Sequence, residues 1–199
     1  MYNKELQNIS LYVFKQDRNN TDGLIKVCVD RYLGLRSVEY DSIGISRGEF
    51  GAPHLDQEGL PYVSVSHSGK YTVCALSDGR LGVDLQEIHL LCNETSEEYA
   101  VRLLRVAKRF FHPSDTAWIE PDPINRFFTV WSAKESYVKY TEKGIDDSFA
   151  SVRSVPTGGP FSSAWECDGM HYALLPFEEG YSLCVCTQVP SQTEIEFLF

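Results

Sequence analysis

The pattern of apolar and polar residues predicts strands in both halves of the chain. Apolar and polar positions alternate, as in half-buried strands, in several short segments before residue 90 and again after Phe149. The strands predicted in the first half are residues 9–14, 62–66, 71–77 and 81–86. The dipeptide Asp78-Gly79 separates the last two and is typical of a tight hairpin turn. We therefore expect the last two strands to form a hairpin.

Apolar residues at helical spacing predict three helices. These helices cover residues 23–33, 96–111 and 124–142. Gly34 is expected to end the first helix, because glycine readily adopts the left-handed conformation found after helix C-termini. Ser96 is expected to cap the second helix, since its side chain can accept a hydrogen bond from a free backbone N–H group.

A short internal similarity suggests two related halves. YTVCAL at residues 71–76 and YSLCVC at residues 181–186 match in residue type at each position. Together with the mixture of strands and helices, this similarity predicts an α+β fold with two similar, pseudo-duplicated halves, residues 1–88 and 89–199. No low-complexity linker separates the halves. We therefore expect them to share an interface in one compact, two-lobed unit.

The composition is that of a globular protein. Apolar residues make up 43% and charged residues 23% of the 199 positions, and the net charge of −10 disfavours nucleic-acid binding through phosphate neutralisation. The sequence has no apolar run of about 18 residues and no signal-peptide pattern, so we expect no membrane span and a cytoplasmic location. The six cysteines include no CxxC pair, which favours buried thiols over a zinc site.

Asp84 is the first candidate for chemistry and lies in the segment LGVDLQ, residues 81–86. Side chains alternate along a strand, so the three apolar residues of this segment face the core, and Gly82, Asp84 and Gln86 face the other side. Because Gly82 has no side chain, the face beside Asp84 is predicted to have room for a ligand. The alternative is a solvated aspartate on an edge strand.

Glu135 is the second candidate and lies in the segment WSAKESYVK, residues 131–139. In a helix, Trp131, Glu135 and Lys139 are four residues apart and share one stripe. If Trp131 anchors that stripe, Glu135 is partly buried and needs a partner, such as a metal ion. The alternative is an exposed Glu135–Lys139 ion pair, which would contribute about 0.3–0.5 kcal/mol.

The segment SVSHSG, residues 64–69, is the third candidate. A turn after a strand that is rich in hydroxyl groups and ends in glycine offers backbone and side-chain donors to an anion. His67 would add a hydrogen bond or a positive charge to a phosphate. The alternative is a solvated histidine in a turn.

The three segments together predict metal-dependent diphosphate chemistry. They supply two carboxylates from separate elements, two lysines (Lys134 and Lys139) and an anion-binding turn. Magnesium typically binds one or two protein carboxylates together with water and substrate phosphates. The sequence contains no P-loop, GxSxG or HExxH motif, so this combination is favoured over metal-free hydrolysis.

Four segments carry a resemblance to a known family, in matching order and at similar spacing. They are SVSHSG (64–69), LGVDLQ (81–86), AKRFF (107–111) and WSAKESYVK (131–139). They resemble the motifs of the 4′-phosphopantetheinyl transferase superfamily, in its surfactin-synthetase-activating (Sfp-like) branch. The family pattern W-S-x-K-E-[SA]-x-x-K is complete here. The resemblance covers roughly residues 47–150 well and the rest loosely.

This resemblance implies both a fold and an activity. The fold would have two similar α+β halves, with coenzyme A bound in the cleft between them. The activity would be that of a holo-[acyl-carrier-protein] synthase. Such an enzyme uses Mg²⁺ to transfer 4′-phosphopantetheine from coenzyme A to a serine of an acyl or peptidyl carrier protein, and it releases 3′,5′-ADP. By resemblance, we expect a monomer.

The resemblance also implies roles for the metal site. Asp84 and Glu135 would hold Mg²⁺, and the amide oxygen of Gln86 would bind the ion directly or through water. Lys134 would lie near the metal carboxylates and help position or deprotonate the acceptor serine. The acceptor of the serine proton stays open between Glu135, a metal-bound water and Lys134.

Coenzyme A would contact a second set of residues by resemblance. Ser66 and His67 would bind its phosphates, with His67 near the 3′-phosphate, and Lys139 would bind the diphosphate. The family's Gly-Lys-Pro segment near the nucleotide is Gly51-Ala52-Pro53 here. Gly51 and Pro53 are therefore expected to line the nucleotide site, which lacks one cation.

The sequence departs from the family pattern in three further places. Gln86 stands where an acidic residue is often found, so the metal site is less negative. Asp115 is one methylene shorter than the glutamate that is more common after the Phe-Phe pair. No basic N-terminal stretch for the 3′-phosphate is present, and Arg31, Arg36 and Arg47 are the candidate substitutes.

The docking surface for the partner is predicted on the helix at residues 96–111. Carrier proteins are generally acidic, and so is this chain, so a local basic patch must offset the long-range repulsion. Arg102, Arg105 and Arg109 share a face at helical spacing, with Lys108 nearby. The alternative is a solvated helix face.

Two alternative functions use the same residues. A non-catalytic coenzyme A or nucleotide-binding module would explain the weakened site, but the complete WSAKESYVK argues against it. A magnesium-dependent phosphohydrolase would release phosphopantetheine without a protein acceptor.

Overall fold

The structure is a computed structural model that describes residues 6–15, 20–34, 43–89, 94–145, 147–160 and 162–199. It confirms the α+β class. The helices are α1 (Thr21–Leu33), α2 (Ser96–Phe110), α3 (Pro113–Ile119) and α4 (Pro123–Thr141). The strands are β1 (Gln7–Lys15), β2 (Ile45–Arg47), β3 (Pro53–Leu55), β4 (Tyr62–Ser68), β5 (Tyr71–Ser77), β6 (Leu81–Glu87), β7 (Ala164–Cys167), β8 (Met170–Leu174), β9 (Tyr181–Thr187) and β10 (Ser191–Leu198). No helix in these described ranges is long and apolar enough to cross a membrane.

Two four-stranded sheets form the centre of the fold. The first has the order β10-β1-β5-β4 and the second the order β6-β9-β8-β7, while β2 and β3 pair separately. Strands β5 and β9 carry the two similar segments, and each is an interior strand of its sheet. Strand β6 lies in the second sheet and β10 in the first, so sheet membership crosses the predicted boundary after residue 88.

The hairpin predicted at residues 71–86 is wrong. Strand β6 pairs with β9 and not with β5, so the turn at Asp78-Gly79 connects the two sheets. The side chain of Gln7 holds this turn, because its amide nitrogen donates to the carbonyl oxygens of Gly79 (2.9 Å) and Arg80 (3.2 Å). A turn signal reports local conformation only, and long-range contacts decide which strand pairs with which.

Three clusters of buried apolar residues hold these layers together. One joins α1 to the first sheet, the second contains residues of both sheets, and the third joins the second sheet to α2 and α4. Representative members of the third cluster are Leu103 on α2, Val130 on α4 and Cys184 on β9, which are all buried. Helix α4 is therefore packed against the second sheet along its length.

Capping residues set the ends of the helices. Gly34 ends α1 in the left-handed conformation, with φ of 65°, which confirms the predicted stop. The N-cap of α2 is Thr95 and not Ser96: the Thr95 side chain accepts from the backbone of Glu98, and the Glu98 side chain accepts from the backbone of Thr95. This reciprocal capping box satisfies two free donors, which a cap at Ser96 would not achieve.

Candidate active site

The site forms where α4 crosses β6. The predicted stripe is present on α4, where Trp131 packs against Phe127 and Phe111. The helix approaches β6 closely at Gly82, where a Cβ atom would lie 2.5 Å from the backbone nitrogen of Tyr140. The space beside Asp84 that Gly82 leaves is therefore filled by α4, and not open to a ligand as the sequence predicted.

Asp84, Ser66 and Lys139 form a connected polar group in this contact. The Lys139 Nζ donates to Asp84 Oδ1 at 2.8 Å and to Ser66 Oγ at 2.7 Å. The Ser66 hydroxyl donates to the same Asp84 oxygen at 3.0 Å. Lys139 therefore pairs with Asp84, and not with Glu135 as the alternative surface ion pair requires.

Serine side chains join β4 to the free edge of β6. The hydroxyl oxygens of Ser64, Ser66 and Ser68 accept hydrogen bonds from alternate backbone N–H groups of β6, at 2.8–3.1 Å. The strand predicted at residues 62–66 is confirmed and extends over His67 and Ser68, which were expected in the turn, and its backbone pairs with β5. The predicted anion-binding turn is reduced to Gly69 and Lys70.

Ser66 has no hydrogen-bonding capacity left for a phosphate in this arrangement. A hydroxyl group has one donor and two acceptor positions. Ser66 donates to Asp84 and accepts from Lys139 and from the backbone of Leu85. The predicted contact with a coenzyme A phosphate is therefore not supported, and Ser66 instead orients Asp84 and Lys139. Only the alternation of serines in residues 64–68 could have indicated this role from the sequence.

Asp84 and Glu135 are a pair of buried or partly buried carboxylates. Burial and then the Asp84 charge raise the pKa of Glu135 to about 7, and Lys139 lowers it. Asp84 is 5% exposed, and its second oxygen, Oδ2, is buried without a hydrogen-bond partner. An unpartnered carboxylate oxygen beside a second carboxylate is the environment that a divalent cation would satisfy.

The remaining predicted metal ligand, Gln86, is not drawn into this pair. Its amide nitrogen donates to the backbone oxygen of Glu87 at 3.0 Å, and its side chain lines a cavity beside Trp131. Within the described ranges, no group of three or more His, Cys, Asp or Glu side chains converges. The donor set is therefore two carboxylates, a number that suits Mg²⁺.

A cavity of about 220 Å³ opens beside Lys139. Gly51 and Pro53 line it together with Lys139, so the structure brings these three predicted coenzyme A ligands together. Most of the other lining residues are apolar: Phe50, Ala52, Val63, Val65 and Val138. His67 is exposed on β4 and lies on the same strand face as Val63 and Val65. This nucleotide cavity, as we call it, is a mainly apolar pocket that one cation, Lys139, and one carboxylate, Glu142, also line.

Lys134 is not in the site, which contradicts the expectation that it lies near the metal carboxylates. It is fully buried on another face of α4, with its Nζ 3.5 Å from Asp115 and donating to the backbone oxygens of Phe149 (3.0 Å) and Val152. Burial lowers the pKa of Lys134 and raises the pKa of Asp115, and each charge partly offsets the shift of the other. Lys134 immediately precedes Glu135, and consecutive helix residues point about 100° apart, so Lys134 lies off the Trp131–Glu135–Lys139 stripe.

We predict a structural role for the Lys134–Asp115 pair. Replacing Lys134 by Met leaves the Asp115 carboxylate buried without its partner, which costs about 3–5 kcal/mol. For a chain of this size, the melting temperature should fall by roughly 6–20 °C. Below that temperature the folded protein should keep most of its activity, because Lys134 does not contact Asp84 or Glu135.

The double variant Lys134→Met/Asp115→Asn is the control for this prediction. It removes both charges, so part of the lost stability should return. Thermal unfolding followed by circular dichroism measures the effect. Loss of activity at an unchanged melting temperature would instead place Lys134 in the reaction.

The candidate N-terminal arginines are engaged elsewhere. Arg31 pairs with Glu196, and Arg47 pairs with Asp22. Arg36 lies outside the described residues. Neither of the two described arginines lines the nucleotide cavity.

The known proteins that this chain resembles are all 4′-phosphopantetheinyl transferases. A family profile described as the 4′-phosphopantetheinyl transferase superfamily matches residues 80–186. A 4′-phosphopantetheinyl transferase of Bacillus subtilis is 30% identical over 194 residues, which cover 90% of this chain and 78% of that protein. The transferase Sfp of B. subtilis strain 168 is 25% identical, covering 92% of this chain and 80% of Sfp. The transferase gsp of Aneurinibacillus migulanus is 26% identical, covering 55% of this chain and 42% of gsp.

Proposed function

The chain belongs to the 4′-phosphopantetheinyl transferase superfamily and is an enzyme of that class, and from this premise we propose its reaction. It transfers the 4′-phosphopantetheine moiety of coenzyme A to a serine of an acyl or peptidyl carrier protein and releases 3′,5′-ADP. The observation that carries the proposal is the Asp84–Glu135 carboxylate pair beside Lys139, a lysine that also lines a mainly apolar cavity.

The nucleotide cavity is the proposed site for the adenine nucleotide. Its apolar lining suits a purine ring, and Phe50 offers an aromatic surface at its rim. Lys139 lines this cavity and also contacts Asp84, so its ammonium group would bind the diphosphate between the nucleotide and the carboxylate pair. His67 would reach the 3′-phosphate from the adjoining strand face.

The carboxylate pair is the proposed site for Mg²⁺. Asp84 Oδ2 and the Glu135 carboxylate would hold the ion, since the first has no other partner and the second is costly to keep charged alone. When bound, Mg²⁺ would neutralise charge on the diphosphate oxygens and so favour departure of 3′,5′-ADP. Gln86 would act through water if it contributes.

Glu135 is the proposed acceptor of the serine proton. The sequence left Lys134 as a second candidate, but its burial against Asp115 removes it from reach of a substrate. With Mg²⁺ bound, Glu135 would be ionised despite the pKa of about 7 that burial and Asp84 give it without metal, so its carboxylate would be available to accept a proton. A carboxylate has two oxygens, so one can face the ion while the other faces the serine.

The proposed docking surface for the carrier protein includes α2. Arg105 and Arg109 are exposed there, Lys108 is exposed but pairs with Glu120 at 3.0 Å, and Phe110 beside them is 44% exposed. A basic face with an apolar centre complements an acidic partner and offsets the negative charge of this chain. Arg102 is less available, because it forms a two-pronged ion pair with Glu94.

The test is the intact mass of an apo carrier protein after incubation with this protein, coenzyme A and Mg²⁺, with and without EDTA. A gain of the phosphopantetheine mass that EDTA abolishes would support transfer and metal dependence together. Binding of coenzyme A with no gain on acyl and peptidyl carriers would favour the non-catalytic module. Release of free phosphopantetheine without a carrier would favour the phosphohydrolase.

We predict that Mg²⁺ binding strengthens as the pH rises through 7. Protons compete with the ion for Glu135, whose pKa is raised to about 7 without metal. Between pH 6 and pH 8, the dissociation constant of Mg²⁺ should fall by about tenfold, as the ionised fraction of one such group rises. Calorimetric titration of the protein with Mg²⁺ at each pH measures this change.

The raised pKa of Glu135 also makes the stability of the metal-free protein depend on pH. The folded chain holds the Glu135 proton more tightly than the unfolded chain does, so metal-free stability should fall as the pH rises from about 4.5 to about 7. The variant Glu135→Gln should lose this dependence and the pH dependence of Mg²⁺ binding. An Mg²⁺ affinity that is equal at pH 6 and pH 8 would contradict the assignment of Glu135 to the metal.

A further inference from the structure

Glu142 places a carboxylate in the wall of the nucleotide cavity. Among the described residues that line this cavity, Glu142 is the acidic one and Lys139 is the basic one. The Glu142 side chain is only 25% exposed, so solvent screens its charge incompletely. A carboxylate repels phosphate groups, so a bound nucleotide must present a different part to Glu142. The proposed reaction gives this residue no role.

The surrounding structure holds the Glu142 carboxylate in place. Its Oε2 lies 3.2 Å from Nε2 of His54 on β3, and its Oε1 lies 3.9 Å from a guanidinium nitrogen of Arg80, in the turn between the two sheets. Glu142 itself follows α4 in the left-handed conformation, with φ of 56°, which glycine or asparagine usually adopts. A carboxylate has about four lone-pair sites, so these two contacts leave acceptor capacity for a ligand.

The order of charged groups along α4 matches the order of groups in a nucleotide. Glu135 belongs to the carboxylate pair, Lys139 follows it by about one turn, and Glu142 follows Lys139 by most of another turn. The Lys139 side chain contacts Asp84, whereas Glu142 contacts the hairpin of β2 and β3. With the diphosphate at Lys139, the base is therefore the part of the nucleotide that extends toward Glu142.

We propose that Glu142 selects adenine by accepting a hydrogen bond from its exocyclic 6-amino group, an inference that rests on the proposed function. The apolar walls of the cavity can hold the faces of a purine ring, but they do not distinguish one purine from another. The 6-amino group is the exocyclic donor at the edge of adenine. A base without it leaves the Glu142 carboxylate unpaired beside the ring, which lowers affinity. Glu142 is thus a specificity-determining residue for the base of the donor substrate.

Two other roles for Glu142 lead to different binding results. If its carboxylate only joins α4 to His54 and Arg80, its removal weakens the binding of every nucleotide equally. If it accepts a hydrogen bond from a ribose hydroxyl, the identity of the base has no effect. The ribose is the less favoured partner, because it lies between the base and the phosphates and therefore closer to Lys139.

Calorimetric titration with two nucleotides tests the proposal. These are 3′,5′-ADP and purine riboside 3′,5′-bisphosphate, which lacks only the 6-amino group. The unmodified protein should bind 3′,5′-ADP about 10–100-fold more tightly, as expected for one hydrogen bond to a charged group. Glu142→Ala should abolish this preference. Glu142→Gln should restore part of it, because a neutral amide oxygen accepts a weaker hydrogen bond than a carboxylate does.

Asp168→Ala is the matched control for these variants. Asp168 is also left-handed, with φ of 51°, and pairs with Arg153 outside the nucleotide cavity, so its loss should leave the full preference for 3′,5′-ADP. Equal losses of affinity for both nucleotides in Glu142→Ala would overturn the proposal and assign Glu142 to the fold. Equal binding of both nucleotides by the unmodified protein would also overturn it, while the proposed transfer would stand. Binding of neither nucleotide would overturn the nucleotide site and this inference together.

Discussion

Replacing Asp84 by Asn is expected to lower kcat/KM for transfer by about 10³-fold or more. Asp84 binds Lys139 and Ser66 through one oxygen, and its other oxygen is buried without a hydrogen-bond partner. The substitution removes the charge that both Lys139 and a divalent cation need, while it keeps the shape of the side chain. Loss of one preorganised electrostatic group at a reacting phosphate typically costs 10²–10³-fold, and Asp84 orients two such groups.

The fold should survive this change. Asn still accepts the hydrogen bonds of Lys139 and Ser66, and removal of the Asp84 charge should lower the pKa of Glu135 toward its ordinary range. The melting temperature should therefore stay within a few degrees of the unmodified protein. The readout is the rate of carrier mass gain at saturating Mg²⁺, with Asp78→Asn on the exposed turn as the control. A folded Asp84→Asn protein that transfers phosphopantetheine as fast as the unmodified protein would contradict the assignment of Asp84 to the metal site.

An alanine variant of Ser66 would test whether this residue acts by orienting Asp84 and Lys139. Ser68 makes the same kind of bond to the edge of β6 as Ser66 does, but only Ser66 also contacts Asp84 and Lys139. Comparison of alanine variants at the two positions therefore isolates the orientation of the active-site charges from the joining of the sheets.

The local parts of this site were predictable from sequence. The four-residue spacing of Trp131, Glu135 and Lys139 predicted their common stripe, because helix geometry depends only on position along the chain. The alternation in LGVDLQ likewise predicted that Asp84 and Gly82 share a face. The complete motif at residues 131–139 also indicated the family correctly, as the relatives confirm.

The long-range parts were not predictable in the same way. Nothing local shows that β6 pairs with β9, or that β10 joins β1 in the first sheet. The prediction for Lys134 was wrong because it relied on the neighbouring Glu135. Consecutive helix residues point about 100° apart, so Glu135 faces the site while Lys134 points away from it and contacts Asp115. The motif at residues 131–139 contains residues that serve the fold, such as Lys134, beside residues of the candidate site, such as Glu135, and the sequence alone does not distinguish the two kinds.

Gly82→Ala is expected to be the most destabilising single methyl addition in the site. Its Cβ would overlap the backbone oxygen of Ser136 and lie 2.5 Å from the backbone nitrogen of Tyr140. Backbone atoms inside a helix cannot move aside as the end of a side chain can, so α4 must shift as a whole. We expect a loss of about 3 kcal/mol or more and a melting temperature lowered by roughly 6–12 °C.

The matched control for this variant is Gly158→Ala. No atom lies within 4 Å of a Cβ at Gly158, and its φ of +87° means that alanine there bears only backbone strain, which costs about 1 kcal/mol. Thermal unfolding of both variants separates the overlap with α4 from the general cost of replacing glycine. A Gly82→Ala protein that melts within about 2 °C of the unmodified one, less than 1 kcal/mol for a chain of this size, would contradict this account.

Gly82→Ala should also lose activity beyond its unfolded fraction. The close approach of α4 at Gly82 is what brings Lys139 within 2.8 Å of Asp84 and holds Glu135 beside the same carboxylate. A helix displaced by even one ångström would lengthen these contacts, and misplacement of that size can cost about 10²-fold in rate. Transfer measured well below the melting temperature should therefore still be slow. Glycine is needed at position 82 because α4, which carries Trp131, Glu135 and Lys139, occupies the space that any side chain at this position would fill.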